Sequence, residues 1–282
     1  MQKAGKGKLM GLTEAAGLVR DGDCVALGGN VLHRAPMAMV RELARQKRKG
    51  LRLVKTAGAH DIDLLCAAGC VAEVDAGFVS YETAFGLAMH YRRAVESGAV
   101  KANEHACYTV IGALRAAAMG APFMPVVGLK AGDLLKENDS LTVIPDPFGG
   151  YHVPVVKAIV PDVAILHVQE ADADGNAVIL GPKYEDVLMS RAAKTVIVTA
   201  ERILPSRAFR SRPEAVDIPG FLVAAVVHAP RGAAPCSCDR LYEADAKALE
   251  RFRQLKAEDI GAYLAEYERS DRGARTYGGW NR

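Results

Sequence analysis

Apolar positions along the chain follow two alternating rhythms, short β-rich runs and longer Ala-, Leu- and Arg-rich stretches of helical spacing. Residues 12–20 predict a helix with Thr13 as its cap. Asp21-Gly22-Asp23 then turns the chain into a strand at 24–27 that stops at Gly28-Gly29-Asn30. Pro36 suits the first turn of the next helix, where its missing N–H costs nothing. That helix, 36–48, gathers Met37, Val40, Leu43 and Ala44 on one face and sets Arg41, Glu42, Arg45 and Lys47 elsewhere. Gly50 closes it, and 51–56 is the next strand. Such a β-α-β unit argues for a parallel sheet with helices on its faces.

The rhythm continues. A helix at 61–68, a short strand at 71–74 and a strand end at 77–80 precede helices at 87–97 and 108–119, the latter stopped by Gly120 and Pro122. Residues 130–150, rich in Gly, Asp, Asn and Pro, predict a long functional loop before a strand at 153–156. Strands at 163–168 and 177–180 flank 172–176, where Asp174-Gly175 signals a hairpin. Strands at 195–199 and 222–228 and a closing helix at 245–255 complete the pattern, with no linker and no internal repeat. The expected architecture is one α/β domain over residues 1–282: an open, mostly parallel sheet flanked by helices, with a helical C-terminal tail at 245–282.

Composition narrows the function. The chain is 50% apolar and 24% charged, with 27 Gly and 13 Pro, which excludes disordered and collagen-like classes. A net charge of +3 calls for neither nucleic acid nor an anionic membrane. The longest apolar run, 221–227, is far short of the ~20 residues that span a bilayer. The N-terminal segment carries positive charge but no apolar signal-peptide core. Six cysteines set mostly in apolar segments of a long chain point to a reducing, cytoplasmic compartment rather than a disulfide framework. The spacings of Cys66 to Cys70 and Cys236 to Cys238, without histidine partners, do not suit zinc, so no metal is expected. His167 and His228, inside apolar strands, read as core or edge histidines.

Two glycine clusters carry the candidate chemistry. The segment from Gly28 and Gly29 through Asn30, His33 and Arg34 follows a strand and opens a helix, so its backbone amides and the Arg34 guanidinium are placed to meet an anion. A tight βα turn is the plainer alternative. The second cluster, Phe148, Gly149, Gly150 and Tyr151, presents adjacent amides of the kind that stabilise an oxyanion, unless it is only a turn entering the next strand. Phe78, Ser80, Tyr81 and Glu82 stand at the carboxyl end of a strand, where open α/β sheets bind ligands. No G-x-S-x-G elbow, Walker lysine or GxGxxG fingerprint is present. The residues alone describe an α/β, small-molecule-binding protein without an autonomous catalytic set.

Asp21-Gly-Asp-Cys-Val-Ala-Leu-Gly-Gly29, His33-Arg-Ala-Pro-Met-Ala38, Gly77-Phe-Val-Ser80 and Pro122-Phe-Met-Pro125 together resemble the α (A) subunits of family I CoA-transferases, closest to the glutaconate CoA-transferase branch. Gly132-Asp-Leu-Leu135, Asp146-Pro-Phe-Gly-Gly150, Pro161-Asp-Val-Ala-Ile-Leu-His167 and Ala171-Asp-Ala-Asp-Gly-Asn176 continue in the same order. Glu201-Arg-Ile203 and Ala229-Pro-Arg-Gly-Ala-Ala-Pro235 extend the resemblance, which covers roughly residues 10–244. It implies an open α/β sheet and an α2β2 assembly with a β subunit. It also implies that coenzyme A is a substrate and that no cofactor is bound permanently. The implied mechanism places a nucleophilic glutamate on the β subunit, where it forms acyl-glutamyl anhydride and then enzyme–CoA thioester intermediates. A β-like half is not identifiable in these 282 residues, and Glu82 and Glu104 are the only candidate catalytic carboxylates in the chain. A sibling branch hydrolyses CoA-linked steroid ring fragments with an acid on its α chain. That acid falls just before the helix at 108–119, where Cys107 stands here, with Glu104 three residues earlier. A non-catalytic protein that binds acyl-CoA is the third possibility.

Overall fold

The computed structural model describes residues 7–129 and 133–273. The strands of its main sheet are β1 (Cys24–Leu27), β2 (Leu51–Gly58), β3 (Val71–Val79), β4 (Lys101–Glu104), β8 (Val163–Ala171), β9 (Ala177–Val178), β10 (Thr195–Ile203) and β11 (Val223–His228). A smaller sheet holds β5 (Phe123–Pro125), β6 (Leu141–Pro145) and β7 (His152–Lys157). The helices are α1 (Leu12–Ala16), α2 (Met37–Arg45), α3 (His60–Ala67), α4 (Glu82–Phe85), α5 (Met89–Glu96) and α6 (Cys107–Ala118). They continue with α7 (Leu134–Glu137), α8 (Asp186–Ala192), α9 (Ser206–Arg210), α10 (Ala246–Arg253) and α11 (Ile260–Arg272).

The main sheet runs β11-β10-β8-β1-β2-β3-β4, and every pairing on that path is parallel. β9 adds antiparallel to the end of β8, forming the hairpin expected at Asp174-Gly175, with Gly175 at φ +95°. Central parallel strands are covered on both faces, which is why they read as continuous apolar runs: all of β8 except Glu170 is buried. Period-two alternation divides the covering. Leu53 belongs to the core layer that includes residues of α1, α2, α3, α10 and α11, whereas its neighbour Val54 belongs to the layer that includes residues of α6 and α8. The strand order turns around at β1, between β8 and β2, and such a switch point is where an open sheet leaves a ligand crevice.

Three expectations need correction. Residues 130–150 are not one long loop, since they contain α7 and β6, with 130–132 outside the described residues. The flanking Asn138-Asp139 and Asp146-Pro147 hid a strand whose Leu141 pairs with Val156 of β7. The helix expected at 12–20 stops at Ala16, because Gly17 caps it. The pieces at 71–74 and 77–80 are one strand, β3. Polar β4 and the short helix α8 gave no hydrophobic period to find.

The C-terminal helices belong to the core. The expected tail is helical through Arg272, and its residues 274–282 lie outside the described residues. Leu249, Phe252 and Tyr263 are almost fully buried, and an ionic clamp holds the end of α11 on α2. Arg41 grips Asp271 with Nε at 2.8 Å and Nη2 at 2.6 Å, and Arg45 adds a bond of 2.7 Å to the same carboxylate. Glu42 receives Arg272 at 2.9 Å. Removing one partner of a buried pair leaves the other charged and unsolvated, which costs about 3–5 kcal/mol. Asp271→Ala is therefore expected to lower unfolding stability by about that amount in a denaturant titration. A loss under about 1 kcal/mol would show that water reaches and solvates the two guanidiniums.

Candidate functional site

The first glycine cluster folds inward. The Gly28 amide donates to the Ile165 carbonyl at 2.9 Å, and the Gly29 amide donates to Asp186 Oδ2 at 3.1 Å. Gly29 sits at φ +71°, and a Cβ there would lie 2.3 Å from the His33 carbonyl oxygen, so only glycine fits. Arg34 is 1% exposed. Its Nη1 donates to Asp186 Oδ1 at 3.0 Å and to the His167 carbonyl at 2.8 Å, and its Nη2 donates to the Pro182 carbonyl at 2.8 Å. The expectation that Gly28, Gly29 and Arg34 face a ligand is thus corrected: Asp186 takes the place an anion would occupy and fills the β1–β8 switch point. Lys55, buried against Gly28 and Asp61, completes the plug. Asn30 and His33 exchange backbone bonds at the outer side, where exposed His33 meets Ser237 Oγ at 2.7 Å.

The carboxyl ends of β3 and β4 are open instead. Phe78 is 40% exposed. Ser80 Oγ donates to the Gly86 carbonyl at 3.0 Å and accepts from the Glu82 amide at 3.1 Å, closing a small loop. Exposed Glu82 holds φ +58°, a left-handed conformation unusual for a side chain of its kind and a form of strain that gathers at functional sites. Tyr81 points the other way and is fully buried, a second correction. Its hydroxyl donates to Asp63 Oδ2 at 3.1 Å and meets His60 Nδ1 at 3.0 Å, while His60 Nε2 reaches the Tyr263 hydroxyl at 2.8 Å. Burial lowers His60 to about 3, so the imidazole is neutral and serves as a bracket between α3, α11 and the loop.

Glu104 ends β4, exposed, with its carbonyl accepting from the Asn138 side chain at 2.7 Å. Phe78 and Glu104 border one groove of about 540 Å³ between α5 and the β3–β4 edge. Cys107 opens α6 on the other side of β3, donating to the Thr56 carbonyl at 3.4 Å. A Cβ on Gly77 would lie 2.5 Å from the Cys107 amide nitrogen, so this glycine admits the helix end. Thr56 donates to Glu185 Oε2 at 2.7 Å. Thr56, Glu185 and Asp186 were missed from sequence because no spacing links residues brought together from opposite halves of the chain.

The second glycine cluster is the tip of the β6–β7 hairpin. Asp146 accepts from the Phe148 amide at 3.0 Å, and the Asp146 amide donates to the Tyr151 carbonyl at 2.7 Å. Phe148 is 97% exposed and Tyr151 is also exposed. The Gly149 and Gly150 amides donate to no group among the described residues, and Gly150 holds φ +69° in open space. Of the two glycine pairs, only this one keeps its donors free.

A buried trio, His167, Glu201 and Cys238, lies within metal-ligating reach. Its atoms are already engaged: His167 meets Thr199 and Glu201, both at 2.9 Å, and Glu201 also accepts from Tyr242 and the Arg231 amide. Burial raises the Glu201 carboxyl, but these bonds outweigh it and hold the group below its ordinary range. Burial pushes the Cys238 thiol up to about 12, which opposes the thiolate a metal requires. Every other cysteine thiol is likewise raised, chiefly by burial.

Comparison with known proteins adds family evidence. The coenzyme A transferase family profile matches residues 9–229. An uncharacterized protein of Archaeoglobus fulgidus is 40% identical over 264 residues, covering 92% of this chain, which spans only 59% of that relative. The α (A) subunit of glutaconate CoA-transferase from Acidaminococcus fermentans is 33% identical over 92% of this chain and 87% of its own length. The crystal structure of that enzyme superposes with a TM-score of 0.88, covering 92% of this chain and 88% of the other. The IpdA chain of a cholesterol ring-cleaving hydrolase from Mycobacterium tuberculosis is 30% identical over 90% of both chains. With the sheet, the helical layers and this match over most of its length in agreement, the chain belongs to the coenzyme A transferase family.

Proposed function

We propose that this chain is the α subunit of a heteromeric, cytoplasmic CoA-transferase, assembled as α2β2, that moves CoA from an acyl-CoA thioester to a carboxylic acid. The observation that carries the reading is the match over 92% of the chain to the α (A) subunit of glutaconate CoA-transferase, in sequence and in fold. The nucleophile comes from the β subunit. Its glutamate attacks the thioester carbonyl, a C–O bond forms, the C–S bond breaks, and CoA leaves as the thiolate. That thiolate then attacks the glutamyl carbonyl and expels the first carboxylate, leaving CoA on the enzyme, and the second acid reverses both steps. The free amides of Gly149 and Gly150 supply donors for the oxyanion of these steps, with Phe148 and Tyr151 as the adjoining wall. At the β3 end, Phe78, Ser80 and Glu82 face the bound thioester, and Asn30 and His33 border the same cleft.

The ring-hydrolase alternative needs an acid ahead of α6. Cys107, the first residue of α6, supplies no carboxylate, and the only acid just ahead of the helix among 104–107 is Glu104, exposed at the end of β4 and three residues from the expected place.

Donor acyl-CoA and acceptor acid are expected to give parallel-line, ping-pong kinetics in the assembled complex, with a new CoA thioester as product. Mass spectrometry of the products decides. Free CoA with a cleaved carbon skeleton, formed without an acceptor acid, would overturn the transferase reading.

A further inference from the structure

The groove between α5 and the β3–β4 edge has a composition that selects its contents. Its volume of about 540 Å³ falls within the roughly 300–1,000 Å³ of small-ligand cavities. Phe78, Ala88, Val95 and Ala102 make its walls apolar. Its charges do not balance. The guanidinium of Arg92 is already paired with Glu96 at 2.7 Å, and among the described residues no cation pairs with Glu104. The Tyr91 hydroxyl, also on the wall, has no hydrogen-bond partner among the described residues. Burial, reinforced by Cys66 and Glu104, pushes this phenol up to about 12, so it remains a neutral donor. The groove reaches the carboxyl ends of β3 and β4, beside Ser80, which bridges to Leu87 on its wall.

We propose that this groove receives the acyl chain of the thioester and selects an uncharged chain over one ending in a second carboxylate. The inference rests on the CoA-thioester reading and deepens it by naming the acyl class. An apolar chain replaces water along Phe78, Val95 and Ala102, which is favourable in proportion to the apolar area covered. A terminal carboxylate would instead meet the unpaired Glu104, with the Arg92 guanidinium already neutralised by Glu96. The Tyr91 hydroxyl offers one donor to a keto or hydroxy oxygen on the chain. The phosphates of CoA are excluded by the same acidic wall, so the groove takes the acyl end.

The test compares hexanoyl-CoA, glutaryl-CoA and acetyl-CoA as donors to acetate or propionate in the assembled complex, together with calorimetric binding of each thioester. The wild-type complex is expected to favour hexanoyl-CoA over glutaryl-CoA at least tenfold in kcat/KM. Ala102→Leu, which fills the groove, is expected to lower the hexanoyl-to-acetyl ratio at least tenfold. Glu104→Gln, at an exposed strand end, should narrow the hexanoyl-to-glutaryl preference about tenfold and keeps the test open if Ala102→Leu does not fold. A preference for glutaryl-CoA, or an unchanged chain-length ratio in a folded, assembled Ala102→Leu complex, overturns the proposal while leaving the transferase reading intact. Failure of Ala102→Leu to assemble with the β partner would assign the groove to the partner chain and also overturn it. Absence of transfer from every donor is failure of the transferase reading. The calorimetric preference between hexanoyl-CoA and glutaryl-CoA then decides the groove by itself.

Discussion

Purified alone, these 282 residues are expected to exchange no CoA between thioesters and acids, and activity is expected to appear when a β partner is added. The reason is chemical inventory. All six thiols are raised above their ordinary value by burial, so none is an available thiolate at neutral pH. Glu82, at the start of α4, and Glu104, at the end of β4, are exposed. Water solvates such carboxylates, and water would also hydrolyse any anhydride formed there. The plugged switch point removes the one crevice where a single open sheet of this kind would enclose a reacting group. Deleting the nucleophile of a covalent enzyme costs on the order of 10⁶ in rate. Acyl exchange measured with and without the partner should therefore differ by several orders of magnitude. Sustained turnover by the single chain would show that one of its own carboxylates is the nucleophile.

In the assembled complex, Gly150→Ala is expected to lower kcat by about 10²–10³, the usual consequence of losing one oxyanion donor. The residue occupies the left-handed region at φ +69°, where a Cβ disfavours the conformation by about 1–2 kcal/mol. Because a Cβ there meets nothing within 4 Å, the strain is relieved by rotating the peptide, and that rotation re-aims the free amide. Gly149→Ala acts differently, since its Cβ would lie 2.5 Å from Asp146 Oδ2 and 2.6 Å from the Tyr151 ring. It should disturb the whole tip and reduce turnover at least as much. Turnover and melting temperature, read on the same complex, separate the two roles. Unchanged turnover with a melting temperature lowered by a few degrees would reduce the hairpin tip to a turn.

What sequence could and could not reveal follows from the range of the forces involved. The covered parallel sheet was legible because burial on both faces demands long apolar runs, as in β8 and β10. The β8–β9 hairpin was legible because Asp174-Gly175 meets a local backbone requirement. Polar edge strand β4 and two strands of the small sheet, β5 and β6, were hidden, although their partner β7 was legible: much of their surface faces solvent, and their pairing is decided by distant neighbours such as Val156.

The same division applies to the site. Both glycine pairs look alike in the chain, each following a strand or entering one, and local sequence determined that each forms a tight turn. Only the tertiary structure decided their opposite fates. Asp186, 157 positions beyond Gly29, folds back to take its amide and the Arg34 guanidinium, while nothing among the described residues reaches the amides of Gly149 and Gly150. Tyr81 and Glu82 are adjacent in sequence, yet one is drawn into a buried bracket by His60 and Tyr263 and the other is left at the surface. The type of residue and the turn it makes are local properties of the chain. Whether its donors remain free depends on which partners long-range packing delivers, and a buried polar group must take whichever partner is within reach.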